Sequence, residues 1–306
     1  MTTLEKVSTR GDGSTGRSEL TLRDRPPLVR AVHSMRRSGV KYTILGLALA
    51  VSVFPFYWMY VVASNSNAVM SQFPPRVIPG PNFLTNARLA IEGVPFGTAL
   101  LNSFVVASAI TVSVLFFSTM AGFAFAKMRF RGRGGLFTFV LGTMLVPQQL
   151  GLIPLFILMG YFGWVGDLRA VIVPSLVTAF GVFWMRQVVA GSVPDELLEA
   201  ARMDGCSIFG IVRHVVWPSV APGAAVLGLY TFLFAWNDFL WPLVVLGNEP
   251  SSHTIQIALR TLSDTYYVNY SMVMAGTLLS VVPLMIVFVL FSRQMVAGAM
   301  DGALKG

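Results

Sequence analysis

Apolar residues gather in six blocks, near 43–63, 98–125, 136–160, 168–190, 219–247 and 271–292. Each reaches the ~20 residues that an α-helix needs to cross a bilayer. The interval between the fourth and fifth blocks, 192–218, has a different pattern. Ser192 with Asp195 three positions on reads as a capping box, with Pro194 in the first turn, where a missing N–H is harmless. Gly205 is a helix stop. The spacing predicts a helix over 193–204, a rod of about 18 Å at helical rise. Its paired Ala200 and Ala201 keep it slim enough for close approach by another surface. Ile208, Phe209, Val212, Val215 and Val216 then recur at helical spacing. They predict a second short helix anchored on the apolar blocks through Ile208 and Phe209, and ended by Pro218. The expectation is an elbow of helix, glycine and helix, presented between two spans to a soluble partner.

With 55% hydrophobic and 12% charged residues, the chain carries more apolar surface than a soluble domain can hide. The fold class expected is an all-α polytopic membrane protein of six transmembrane helices, 42–292, with the elbow between spans four and five. A basic tail over 1–41 and a short tail over 293–306 flank it. Residues 1–41 are rich in Gly, Ser, Thr, Arg and Pro without sustained periodicity, which predicts disorder. The first span starts too far in for a cleaved secretory signal and is read as retained. Basic residues crowd onto one side: the first tail, the loop with Lys127, Arg129, Arg131 and Arg133, then Arg186, Arg202, Arg213, Arg293 and Lys305. Only Arg76, Arg88, Arg169 and Arg260 fall on the other. The positive-inside rule then makes both termini and the elbow cytoplasmic. The net charge of +8 is therefore a topology signal. No recognition-helix pattern or aromatic interleaving points to nucleic acid.

Polar chemistry inside the blocks is sparse. Asp238, beside Asn237, falls within the fifth block, where a carboxylate costs about 2.5–3.5 kcal/mol at a helix centre and somewhat less off-centre. On an unbroken helix Phe234 and Trp241 share its face, an arrangement that suits sugar hydroxyls and C–H faces. The same groups would equally tie span five to neighbouring helices. Gln148 and Gln149 beside Pro147 allow the same two readings, a translocation path or helix cross-linking. Asn102 and Ser103 read as packing groups at the outer end of span two. Pro147, Pro154, Pro174 and Pro283 predict kinks. Pro74, Pro75, Pro79, Pro81 and Pro95 predict an extended cover between spans one and two. Cys206 stands alone, and His33, His214 and His253 are far apart, so neither a disulfide framework nor a zinc site is expected. The carboxylates Asp195, Glu196, Glu199 and Asp204 lack a His or Ser partner in a catalytic arrangement. No G-x-x-x-x-G-K-[ST] loop is present, so the chain is not expected to bind ATP.

Glu199-Ala200-Ala201, Gly205, Val215, Trp217 and Pro218 together resemble the coupling motif of permease subunits in binding-protein-dependent ABC importers. Val215 and Trp217 stand where such permeases commonly carry Ile and Leu. Phe73-Pro74-Pro75-Arg76, Asn102-Ser103, Val146-Pro147-Gln148, Arg186-Gln187, Trp236-Asn237-Asp238-Phe239 and Gly302-Ala303-Leu304-Lys305-Gly306 are similar to the carbohydrate branch, in particular the smaller permease of maltose-type systems. The resemblance covers roughly 40–306. It implies a type I importer permease fold in a bacterial inner membrane, and a non-catalytic subunit. Its implied partners are a second related permease, an ABC ATPase dimer that binds ATP and Mg, an extracytoplasmic solute-binding protein, a sugar and membrane lipid. Glu199, Ala200, Ala201, Asp204, Gly205, Ile208 and Phe209 would couple to the ATPase. Gln148, Asn237, Asp238 and Trp241 are candidates for the translocation path. The competing class is a secondary sugar transporter or facilitator working without ATP.

Overall fold

The computed structural model describes residues 27–247, 249–263 and 268–303, with side chains described within 39–291. Helix α1 runs Pro27–Ser64, and its portion from Gly39 is long and apolar enough to cross a membrane. The expected disordered tail is corrected over 27–41, which is helical; residues 1–26 lie outside the described residues. Short α2 (Asn67–Met70) and α3 (Phe83–Gly93) follow, then the long α4 (Phe96–Lys127). The next stretch is broken. Helices α5 (Arg133–Thr143) and α6 (Leu152–Tyr161) are separated by a 3-10 turn over Gln148–Gly151, and the pair bends by 86°. Helix α7 (Arg169–Ile172) continues into a 3-10 turn containing Pro174, then meets α8 (Ala179–Ser192) at a 42° bend. Among the described residues four continuous helices thus have spanning length and apolarity, or up to six if each bent pair is one span.

Proline chemistry places the breaks. Pro147 stands immediately before the 3-10 turn with ψ of 125°, outside helical space, and Pro174 lies inside the second turn. A missing N–H and a crowded preceding carbonyl disfavour a straight helix there. Pro283 is instead carried inside α14 (Tyr270–Ala303), as Pro222 is inside α11 (Trp217–Asn237). The spanning part of α14 is Tyr270–Phe291, and the helix runs on to Ala303 through the segment expected as a C-terminal tail.

Helix α4 is central, packing on α8 and on α11. Its contact with α8 is a close approach of backbones. A Cβ on Gly122 would stand 2.7 Å from the backbone N of Arg186 and from the carbonyl carbon of Met185. Across the same seam, a Cβ on Gly181 would strike the Ser118 and Thr178 hydroxyls. Small residues at such crossings let membrane helices gain dispersion contacts where no hydrophobic effect drives them together. Val106, Ile110 and Val114 of α4 form one buried core with Met185 and Val189 of α8 and Val220 and Leu227 of α11. Trp184 Nε1 donates to the Gly223 carbonyl at 2.9 Å, tying α8 to α11.

At the opposite end from the elbow, the proline-rich connection is not simply extended, because α2 and α3 form within it. A buried amide knot holds it. Asn86 Nδ2 donates to the carbonyls of Ala63 (2.8 Å) and Asn65 (2.9 Å). Asn65 Nδ2 donates to Val61 (2.8 Å) and Ile78 (3.1 Å), while the Gly80 N–H donates to Ser64 Oγ at 3.0 Å. Asn102 Nδ2 donates to Ser251 and His253 carbonyls, and Ser103 Oγ accepts from the Ile255 N–H at 2.8 Å. Both side chains thus pin the first turns of α4 to the distant segment 251–255, which leads into α13 (Ile255–Thr261). Asn86→Ala strands two buried carbonyls and is expected to cost about 2–3 kcal/mol. A thermal-unfolding midpoint unchanged from wild type would contradict this role for the amide.

Candidate functional site

The elbow is built around α9 (Asp195–Met203), nine residues and about 13 Å long. This is shorter than the sequence pattern suggested, and the expected capping box is corrected. Ser192 is the last residue of α8, Val193 is buried and extended, and Pro194 occupies the N-cap position without a side-chain cap. A residue before proline is pushed out of helical space, so α8 must stop before Val193. Asp195 pairs instead with Lys127 at the end of α4, Nζ to Oδ1 2.7 Å. The hydrogen bond and charge of Lys127 hold the Asp195 carboxyl below its usual range. In the sequence Lys127 reads only as one of the basic residues that set topology; its pairing with Asp195 arises because the fold brings these distant positions together.

The C-terminus of α9 is a Schellman turn. The Cys206 N–H bonds the Ala201 carbonyl at 3.0 Å, the Gly205 N–H bonds Arg202 at 3.0 Å, and Gly205 takes φ of +76°. Ser207 then caps α10 (Ile208–Ile211) by accepting from the Gly210 N–H at 3.2 Å. Pro218 does not end this second helix, contrary to the sequence expectation. Residues Val212–Val216 widen into a π turn that runs directly into α11, so Ile208–Asn237 is one spanning helix. Pro218 cannot donate to residue 214, and a π turn is one way to pass a missing backbone bond.

Burial divides the elbow into two faces. Leu198 and Ala201 are buried, and they join Ile211, Val212 and Val216 in the core that also holds α4, α8 and α11. Burying Leu198 alone is worth about 1.5–3 kcal/mol. Glu199, Ala200, Asp204 and Gly205 are exposed, and Met203 is 88% exposed. The alanine pair is therefore split, Ala201 inward and Ala200 outward. Ile208 and Phe209, expected to anchor the second helix, are instead exposed at 56% and 59%. The anchors are the residues one turn further on. Leu197 and Met203, passed over in the sequence, add exposed apolar surface beside the carboxylates; the strongly amphipathic composition of α9 was the available signal.

The four translocation-path candidates are not brought together in one set of surroundings. Gln148 is exposed in the 3-10 turn between α5 and α6. Asn237 is exposed and donates to the Leu233 carbonyl at 2.8 Å. Asp238 does not sit within a helix; it is the extended residue between α11 and α12 (Leu240–Leu246), facing the backbone N–H groups of Phe239, Leu240 and Trp241. The helical face expected to join Phe234, Asp238 and Trp241 is corrected by this break. Phe234 is exposed, whereas Trp241 is buried and donates from Nε1 to the Ala170 carbonyl at 3.0 Å. Backbone donors at the start of a new helix give the carboxylate partners that a helix interior lacks. Among the described residues no group of three His, Cys, Asp or Glu could hold a metal ion.

A backbone of this shape is known elsewhere. A crystal structure of a bacterial ABC transporter involved in the import of the acidic polysaccharide alginate contains a chain with the same fold, at a TM-score of 0.73 and 23% identity, covering 85% of this chain and 97% of that one. The arabinooligosaccharides transport system permease protein AraQ of Halalkalibacterium halodurans is 36% identical over 240 residues, 78% of this chain and 84% of AraQ. The lactose transport system permease protein LacG of Rhizobium radiobacter is 32% identical over 266 residues, 87% of this chain and 96% of LacG. The sn-glycerol-3-phosphate transport system permease protein UgpE of Yersinia pestis is 30% identical, covering 85% of this chain and 95% of UgpE. Residues 115–297 match the family of binding-protein-dependent transport system inner membrane components, which spans the broken helices, the two-faced elbow and α11. With its all-helical multi-pass fold, the chain belongs to that family of inner-membrane transport permeases.

Proposed function

We propose that this chain is one of two related permease subunits of an ATP-driven importer for a carbohydrate or polyol phosphate, coupled through α9 to an ABC ATPase. The observation that carries the reading is the division of the elbow. Its outer face offers Glu199, Ala200, Met203 and Asp204 ahead of Gly205, while Leu198 and Ala201 are sealed into the core of α4, α8 and α11. A push on the outer face is transmitted directly to those helices, because close-packed interiors pass on displacement rather than absorb it. Glu199 would contact a basic residue of the ATPase, and exposed Ile208 and Phe209 would extend the docking surface. The substrate class rests on relatives whose names specify arabinooligosaccharides, lactose and sn-glycerol-3-phosphate. ATP and Mg would be held by the ATPase. A solute-binding protein would deliver substrate at the α3 end, and both termini would be cytoplasmic, a reading supported by the distribution of basic residues. Gln148 and Asn237, exposed at helix breaks, remain the candidates for lining the path.

The test uses Cys206, which is exposed and unpaired. Joined by a short bifunctional reagent to cysteines placed along the groove of the co-expressed ATPase, it should give a cross-linked permease–ATPase band. A scan of the whole groove without product, with the ATPase absent from affinity-purified permease, would favour a facilitator.

A further inference from the structure

The geometry points to a second binding site on this chain, a lengthwise groove that holds an acyl chain of an anionic phospholipid, its phosphate near Arg213. The groove, with a volume of 790 Å³, lies between α4, α11 and α14. Its wall runs along α11 from Trp217 to Phe232, about 22 Å at helical rise. Ala221, Ala225 and Gly228 form a floor of small residues, with Val112 and Ile286 on the flanking helices. Apart from the Ser108 and Thr111 hydroxyls on α4 the lining is apolar, so it offers a polar solute little to bond. All three helices are long and apolar enough to span a membrane, so a face of theirs that no protein covers meets hydrocarbon.

The elbow end of the groove distinguishes one lipid class. Trp217 closes it, an aromatic suited to the headgroup level. One turn earlier on the same continuous helix, Arg213 is exposed and has no ion-pair partner among the described residues. An unneutralised guanidinium beside an interfacial tryptophan complements a phosphate. The site also touches the elbow, because Val212 and Val216 flank Arg213 and are buried with Leu198. A seated lipid would brace the π turn between α10 and α11. Assignment of the elbow end to the anionic cytoplasmic leaflet rests on the function proposed above.

The experiment is photolabelling of the complete transporter in nanodiscs, with phosphatidylglycerol or phosphatidylcholine carrying a diazirine in the acyl chain, followed by peptide mapping. Labels on wild type should concentrate on peptides containing 104–115 and 217–232. Ala221→Trp, at an exposed position on the floor, should reduce that label about tenfold, as expected for displacing about two methylenes. Val112→Trp approaches from the other wall and should do the same, which covers the case of one variant failing to fold. Arg213→Gln should keep the acyl label but lower the preference for phosphatidylglycerol by about fivefold. Labels spread evenly over all spans, or none in the groove because cysteine pairs there cross-link to the partner permease, would overturn the site. ATPase retention is scored on the same sample. A retained ATPase with an unlabelled groove sinks only the lipid site, while a lost ATPase counts against the proposed function instead.

Discussion

Gly205→Val is expected to leave the protein inserted in the membrane while co-purification of the ATPase falls about tenfold or more, the equivalent of the 1–2 kcal/mol that an L-residue pays in left-handed backbone. Gly205 takes φ of +76° at the Schellman turn. A Cβ there meets no atom within 4 Å of this chain, so the strain comes from the backbone and not from crowding. Valine, stiff at χ1, is among the poorest residues in that region. Asparagine enters it readily, so Gly205→Asn should retain ATPase binding within about threefold. The pair separates two causes. Loss in both variants means that the partner needs the empty space over Gly205. Wild-type binding in both means that the bend takes no part in docking, and the coupling proposal fails.

The second large effect lies inside the bundle. Gly122→Ala should cost at least the ~3 kcal/mol that marks the top of ordinary overpacking. The atoms its Cβ would meet are the backbone of Met185 and Arg186, which cannot rotate away. Against a total stability of about 5–15 kcal/mol, that loss should sharply reduce monodisperse recovery after solubilisation and lower the unfolding midpoint. Gly223 supplies the contrast. Its added Cβ would meet the Val188 side chain at 2.5 Å, so Gly223→Ala should be damaging alone and largely rescued by Val188→Ala. If Gly122→Ala unfolds at the wild-type midpoint, the tight α4–α8 seam is wrong.

Much of the architecture was legible because bilayer thickness imposes a length on apolar runs. Blocks near 98–125 and 271–292 correspond closely to α4 and the span part of α14. Gly205 was readable as a stop because a glycine between a polar helix and a β-branched run has few other uses. Errors arose where two local rules compete. Ser192 and Asp195 satisfy the spacing of a capping box, yet Pro194 forces Val193 to be extended and hands the serine to α8. Pro218 looked like a terminator, and the π turn over Val212–Val216 carried the helix past it. Asp238 was placed by hydropathy inside a span, since a window average does not detect a break of two residues.

By itself, the amino-acid order determined that this is a helical membrane protein with a polar bend between its fourth and fifth apolar blocks, because periodicity, run length and glycine chemistry act over a few neighbouring residues. Which face of that bend is sealed and which is offered was decided only in three dimensions. Leu198 and Ala201 are buried because they join Val189, Val212 and Val216 in one core, and Asp195 finds Lys127 only once α4 lies beside the elbow. The same holds for Ile208 and Phe209, apolar residues whose exposure no helical spacing could foretell. Long-range packing sets those outcomes, and it is written in pairs of residues too distant along the chain for any local pattern to join.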